Sequence, residues 1–172
     1  MKLPEIERQL QQQGMVLFTS QEFRRATGTT PASAKQLLVR YVQKGFVEKL
    51  KDNRGLYCLS GRRPHPWLLA NRLWRPSYVS LETALSHYGC LPEAVYGVTS
   101  VTTRTTRSFE SMGLSFVYQS MKPSAYSGYK SATLEGQTVW LAEREKAVAD
   151  YLYFVHLRKK DLSETSVACC PS

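Results

Sequence analysis

A chain of 172 residues with 42% hydrophobic and 22% charged content is ordinary globular material, long enough for one compact domain or two small ones, and its composition is not that of a disordered or fibrous protein. The formal net charge is +9 and the pI about 9.5, and the excess is uneven: residues 1–65 carry twelve Lys or Arg against five Asp or Glu, whereas residues 66–172 carry eleven against nine. No stretch approaches the ~20 apolar residues that span a bilayer, residues 1–13 lack the apolar core of a signal peptide, and the expected compartment is the cytoplasm, where thiols stay reduced.

Leu3, Ile6 and Leu10 recur at three- and four-residue spacing in a polar run that Gly14 ends, which predicts a first amphipathic helix. A short apolar run over residues 15–18 follows, and then Thr19 or Ser20 can cap a second helix that holds Phe23 and stops at Gly28. Thr29-Thr30-Pro31 is a strong helix start, because a threonine hydroxyl accepts from free backbone N–H groups and proline fits the first helical position, which needs no donor. The third helix is predicted over residues 31–44, ending at Gly45, with Ala34, Leu37, Leu38, Tyr41 and Val42 as its buried face. Its opposite side carries Ala32, Ser33, Gln36, Arg40 and Gln43, short near the N-terminus and longer further along, which suits insertion by the first turns into a major groove ~12 Å wide.

A strand over residues 46–50, a polar turn Lys51-Asp52-Asn53-Arg54-Gly55 and a strand over residues 56–59 complete the order of a winged helix-turn-helix. Lys49, Lys51 and Arg54 at the hairpin can reach a phosphate or an adjacent minor groove. Base-reading candidates are Thr30, Ser33, Gln36 and Arg40, since Gln pairs bidentately with adenine and Arg with guanine. Thr29, Lys35, Arg24, Arg25 and the hairpin cations are expected to grip the backbone and set register. Winged helices also serve as protein-docking modules, so the alternative is an interaction module in which the basic surface meets an acidic partner.

Gly61-Arg62-Arg63-Pro64-His65-Pro66 is the credible linker, which divides the chain into a DNA-binding domain over 1–65, an α+β domain over 66–162 and an irregular tail over 163–172. Trp67, Leu68 and Trp74 are apolar enough to pack between the two domains. A helix over residues 80–88 follows, with Ser80 as cap, Leu81, Ala84 and Leu85 buried, Gly89 as its stop and His87 as a partly exposed cation near its end. Residues 96–103, 114–118 and 138–141 read as strands of a small mixed sheet, and a closing helix over 142–157 packs on it through Ala147, Tyr151, Leu152, Phe154 and Val155. The fold class is α+β.

Several quoted stretches together carry a likeness: the winged-helix pattern, then Ala70-Asn71-Arg72-Leu73, Tyr78-Val79-Ser80-Leu81-Glu82-Thr83-Ala84-Leu85, Tyr88-Gly89, Pro92-Glu93-Ala94-Val95-Tyr96, Val98-Thr99-Ser100-Val101-Thr102-Thr103-Arg104-Thr105-Thr106-Arg107 and Glu145-Lys146-Ala147-Val148-Ala149-Asp150-Tyr151-Leu152. The chain resembles the AbiEi family of bacterial antitoxins, the regulators of type IV toxin-antitoxin and abortive-infection systems, over nearly all of residues 15–162, most specifically over 70–107. The resemblance implies a repressor that binds double-stranded DNA at inverted repeats in its own promoter. It also implies a second domain that counters a nucleotidyltransferase-like toxin without requiring a stable complex. It further makes Arg72, Arg75, Arg104 and Arg107 candidates for joining the DNA contact, although a Thr-rich strand with two arginines is also an ordinary solvated sheet face. Family members usually continue with helical sequence after the last helix, whereas residues 165–172 read Ser, Thr, Cys and Pro without periodicity. A truncated or frame-altered end is therefore expected, with toxin neutralisation in doubt and the DNA-binding half intact.

Catalytic patterns are lacking. A metal-dependent nuclease needs clustered carboxylates, and Glu143 and Asp150, seven residues apart on one helix, have no second acidic cluster to complete a site. The histidines His65, His87 and His156 fall in a linker, a helix end and a helix tail, without a glycine-flanked nucleophile elbow. No phosphate-cradling glycine motif is present, so no cofactor is expected. Cys58, Cys90, Cys169 and Cys170 include no C-x-x-C pair and read as two buried small hydrophobes and two tail thiols.

Overall fold

A computed structural model describes residues 3–50, 55–92 and 95–157. The chain divides into two compact units, Met1–His65 and Pro66–Ser172.

In the first unit, helix α1 (Leu3–Gln12) and strand β1 (Leu17–Thr19) lead into helices α2 (Ser20–Thr27) and α3 (Pro31–Gln43), and strands β2 (Val47–Lys49) and β3 (Leu56–Leu59) follow. The strands form an antiparallel sheet of order β1-β3-β2, with Leu17 opposite Cys58 and Val47 opposite Leu59. The helix boundaries follow from local chemistry. Thr19 caps α2 by accepting from the Glu22 backbone N–H at 3.2 Å, while the Glu22 carboxylate accepts from the Thr19 backbone N–H at 2.8 Å, so two orphan donors are satisfied reciprocally. Gly28, at φ 65°, supplies the left-handed residue that stops α2. Thr30 accepts from the Ser33 N–H at 3.3 Å, and Pro31 opens α3 where no donor is required. Thr19→Ala is expected to destabilise this unit by about 1 kcal/mol in a denaturant titration, the usual cost of a lost cap.

The core of this unit gathers Ile6, Leu10, Phe18, Phe23, Leu38 and Tyr41 from its helices and sheet. Of the five residues expected on the buried face of α3, Ala34, Leu38 and Tyr41 are buried and Leu37 is half-buried, but Val42 is exposed. The buried stripe is therefore narrower than the apolar pattern suggested. Where α3 ends, the T-shaped contact of Tyr41 with Phe46 (6.5 Å between centroids) closes the core, and Val42 is left outside it.

The second unit opens with helix α4 (Pro66–Leu73), strand β4 (Ser77–Val79) and helix α5 (Leu81–His87). Strands β5 (Val98–Thr102), β6 (Arg107–Ser111) and β7 (Leu114–Ser120), a 3-10 turn over Pro123–Ala125, strands β8 (Tyr129–Leu134) and β9 (Gln137–Ala142) and helix α6 (Arg144–His156) complete it. The sheet has order β6-β7-β5-β4-β9-β8 and is mixed, with β4 parallel to β9, β5 parallel to β7 and the remaining neighbours antiparallel. At Gly97, φ 116°, a Cβ would lie 2.7 Å from the Ser115 carbonyl oxygen, so the close approach of the chain entering β5 to that backbone requires glycine.

Here the sequence expectations need correction at several points. Strands β4, β6 and β8 were not anticipated. Leu152 is exposed and Val155 half-buried, and the buried face of α6 is Ala147, Asp150, Tyr151 and Phe154, which adds a carboxylate to the expected apolar set. Ser80 stands at the cap position of α5, but its hydroxyl donates to Asp150 at 2.8 Å instead of capping the helix. Within the second unit, Trp67 meets His87 edge-on at 5.1 Å, and Trp74 packs at 5.5 Å from Phe109. Cys58 is a buried free thiol, and Cys90 is buried as well. Among the described residues, no helix is long and apolar enough to cross a membrane.

Candidate nucleic-acid interface

On α3 the residues Ala32, Ser33, Lys35, Gln36, Arg40 and Gln43 are all exposed. Gln36 and Arg40 stand one turn apart on that side, as the four-residue spacing dictates. The helix carries Lys35 and Arg40 and no acidic residue, so nothing on it offsets their charge. Its first turn, Pro31-Ala32-Ser33-Ala34, has only short side chains, which permits close approach of a ligand to the backbone there.

The two threonines before α3 are already engaged. The Thr30 hydroxyl accepts from the Ser33 N–H and donates to Ser33 Oγ at 2.9 Å. Thr29 Oγ1 lies 2.9 Å from Thr27 Oγ1, which itself donates to the Phe23 carbonyl at 2.8 Å. Both side chains thus set the start of α3 relative to the end of α2. Arg24, half-buried, and Lys35, exposed, share a cleft of about 380 Å³ between α2 and α3, with Gln21 and Tyr57 in its wall. Arg25 is exposed on the far end of α2, and Lys49 is exposed on β2. Lys51 and Arg54 lie outside the described residues.

The four candidate arginines of the second unit separate into two pairs. Arg104 and Arg107 are exposed and share one ring: the Arg104 guanidinium carbon sits 3.7 Å from the Trp74 ring centroid and that of Arg107 sits 5.0 Å from it. Arg107 also lies 5.2 Å from the Phe109 ring, and Arg104 Nη1 donates to the Arg75 carbonyl at 3.3 Å. Such stacking orders two long side chains that would otherwise lose rotamer freedom on binding. Arg72 and Arg75 instead line a pocket of about 570 Å³ with Asn71, Tyr126, Tyr129 and Trp140. Sequence reading missed both the aromatic support and the pocket. The one available signal was the alternation of Trp and Arg at Arg72, Trp74 and Arg75.

Asp150, weighed above as a metal ligand, is committed elsewhere. It is 1% exposed and accepts through Oδ2 from the Tyr78 hydroxyl at 2.9 Å and the Ser80 hydroxyl at 2.8 Å. Lys146 Nζ faces Oδ1 at 2.7 Å as an ion pair, off the line of a hydrogen bond, and donates to the Ala125 carbonyl at 2.7 Å. Burial first, and then the Asp150 carboxylate, push the Tyr78 phenol well above its ordinary range, so it stays a donor. Glu143 is exposed and pairs with Lys130 at 3.8 Å, apart from this network. Among the described residues no three His, Cys, Asp or Glu side chains are placed to hold a metal ion. No family model matches the chain, and no curated protein matches it significantly.

Proposed function

We propose that the first unit is a winged helix-turn-helix that binds double-stranded DNA, and that the chain is a transcriptional regulator of the autorepressing antitoxin type. The observation that carries this reading is the open face of α3, where Ser33, Gln36 and Arg40 are exposed on a helix without acidic residues. The helix-strand-helix-helix-strand-strand order and the β1-β3-β2 sheet support it. In this reading Ser33, Gln36 and Arg40 meet base edges in the major groove, while Arg24, Arg25, Lys35, Lys49, Lys51 and Arg54 neutralise phosphates. Thr29 and Thr30 position the helix. Arg104 and Arg107, held on Trp74, add phosphate contacts from the second unit. A nucleotidyltransferase-like toxin is the functional partner, the cytoplasm is the compartment, and no cofactor is needed.

The test is binding to the DNA upstream of the gene, by fluorescence anisotropy, across a salt series. Affinity is expected to fall with salt with a logarithmic slope of about −0.9 per neutralised phosphate; a flat response overturns the reading. The interaction-module alternative draws on Val39, 52% exposed, and on the exposed Val42 and Phe46, since exposed apolar groups also suit a protein surface. Capture of a neighbouring-gene product that survives nuclease treatment, together with no salt-sensitive duplex binding, decides for that alternative.

A further inference from the structure

The second-unit pocket has a chemistry that the DNA reading leaves unused. Its cationic wall is Arg72, at the end of α4, and Arg75, in the turn to β4. Its aromatic wall is Tyr126, Tyr129 and Trp140, and among the described residues no acidic one lines it. Trp140 is 47% exposed and, with Thr138, stands on the outward face of β9. The ring has an aromatic neighbour, and its backbone is fixed. Tyr129 meets it edge-on at 5.8 Å, and Tyr129 is itself stacked on the buried Tyr78 at 4.6 Å with the planes 9° apart. Asn71 fixes the backbone beneath it, accepting from the Trp140 N–H at 2.7 Å and donating to the Trp140 carbonyl at 3.3 Å.

We propose that this pocket binds a nucleoside phosphate, with the base stacked on Trp140 and the phosphate held by Arg72 and Arg75. The volume, about 570 Å³, lies within the range of small-molecule sites. Guanidinium groups recognise phosphate bidentately, and an exposed ring held rigidly stacks on a base at little entropic cost. An acidic peptide would use the arginines and leave the rings idle, whereas an apolar ligand would use the rings and leave the arginines idle. The Asn71 amide is already engaged through both of its ends, so it does not read the base and discrimination among bases is weak. The same chemistry is offered by a free nucleotide and by the end of a single strand. The proposal stands apart from the duplex reading of α3.

Calorimetric titration of the full chain with ATP, adenosine, inorganic phosphate and a short single-stranded oligothymidylate tests it. ATP or the oligonucleotide is expected to bind, and the stronger of the two identifies the source. Adenosine and phosphate alone should each bind at least about tenfold more weakly, since each lacks one of the two anchors. Trp140→Ala should weaken ATP by about tenfold or more, and Arg72→Gln combined with Arg75→Gln by about a hundredfold. Trp140→Phe should keep the affinity within a few-fold but remove the quenching of tryptophan emission by the base. Thermal melts check that the variants fold, and Arg40→Ala should leave ATP binding unchanged while it lowers duplex specificity. No heat and no quenching with any probe at millimolar concentration overturns the proposal, as does binding that is indifferent to both the arginine and the Trp140 changes in folded protein.

Discussion

Replacing Arg40 by Ala, or Gln36 by Ala, is expected to lower the preference for the cognate duplex over unrelated DNA by roughly five- to 150-fold each, the equivalent of ~1 to 3 kcal/mol per lost bidentate base contact. Both side chains are exposed on α3, one turn apart, and neither lies in the buried core, so their removal leaves the fold intact. Lys35→Ala and Lys49→Ala should behave differently. In the proposed reading each removes a charge that meets phosphate alone, so cognate and unrelated duplexes should weaken together and the salt slope should shrink by about 0.9. Thr30→Ala should act through the start of α3, because its hydroxyl is occupied with Ser33. Competition anisotropy with one cognate and one scrambled duplex reads all of these. An unchanged specificity ratio in both Arg40→Ala and Gln36→Ala means that α3 does not read bases.

What could be read beforehand was whatever is decided within a few residues. The Thr19–Glu22 box, Gly28 and the Thr30-Pro31 start are local signals, and α2 begins and ends, and α3 begins, where those residues place them. Strands β6 and β8 are different. They are the edges of the six-stranded sheet, and most of their side chains face solvent or lie half-buried, so no apolar alternation marks them. Their pairing with β7 and β9 makes them strands. The site follows the same division. The exposed side of α3 was legible from its period, but the support that Trp74 gives to Arg104 and Arg107 joins the turn after α4 to a segment about thirty positions later, beyond the reach of a local pattern. The pocket is further still from legibility, because Arg72 and Trp140 come together only through the parallel pairing of β4 with β9 and the packing of α4 beside it.

Asp150→Ala is expected to destabilise the second unit by about 3 to 5 kcal/mol, the usual cost of removing one partner from a buried ion pair. The magnitude follows from what is left behind. Lys146, with 15% of its side chain exposed, would keep its charge opposite an empty position, and the buried Tyr78 and Ser80 hydroxyls would lose their shared acceptor. The carboxylate also joins elements far apart in the chain: α6 through Asp150, β4 through Tyr78 and the cap of α5 through Ser80. Its loss should therefore loosen the whole unit and lower its melting midpoint by more than about 10 °C. Asp150→Asn keeps the shape and an acceptor oxygen but not the charge, and should fall between wild type and Asp150→Ala. Adding Lys146→Met to Asp150→Ala should recover part of the loss, because the uncompensated cation goes with it. Calorimetry of the full chain would follow both units. A first-unit transition that stays in place while the second shifts is the expected pattern, and an Asp150→Ala protein that melts like wild type would mean that this network does not hold the sheet to α6.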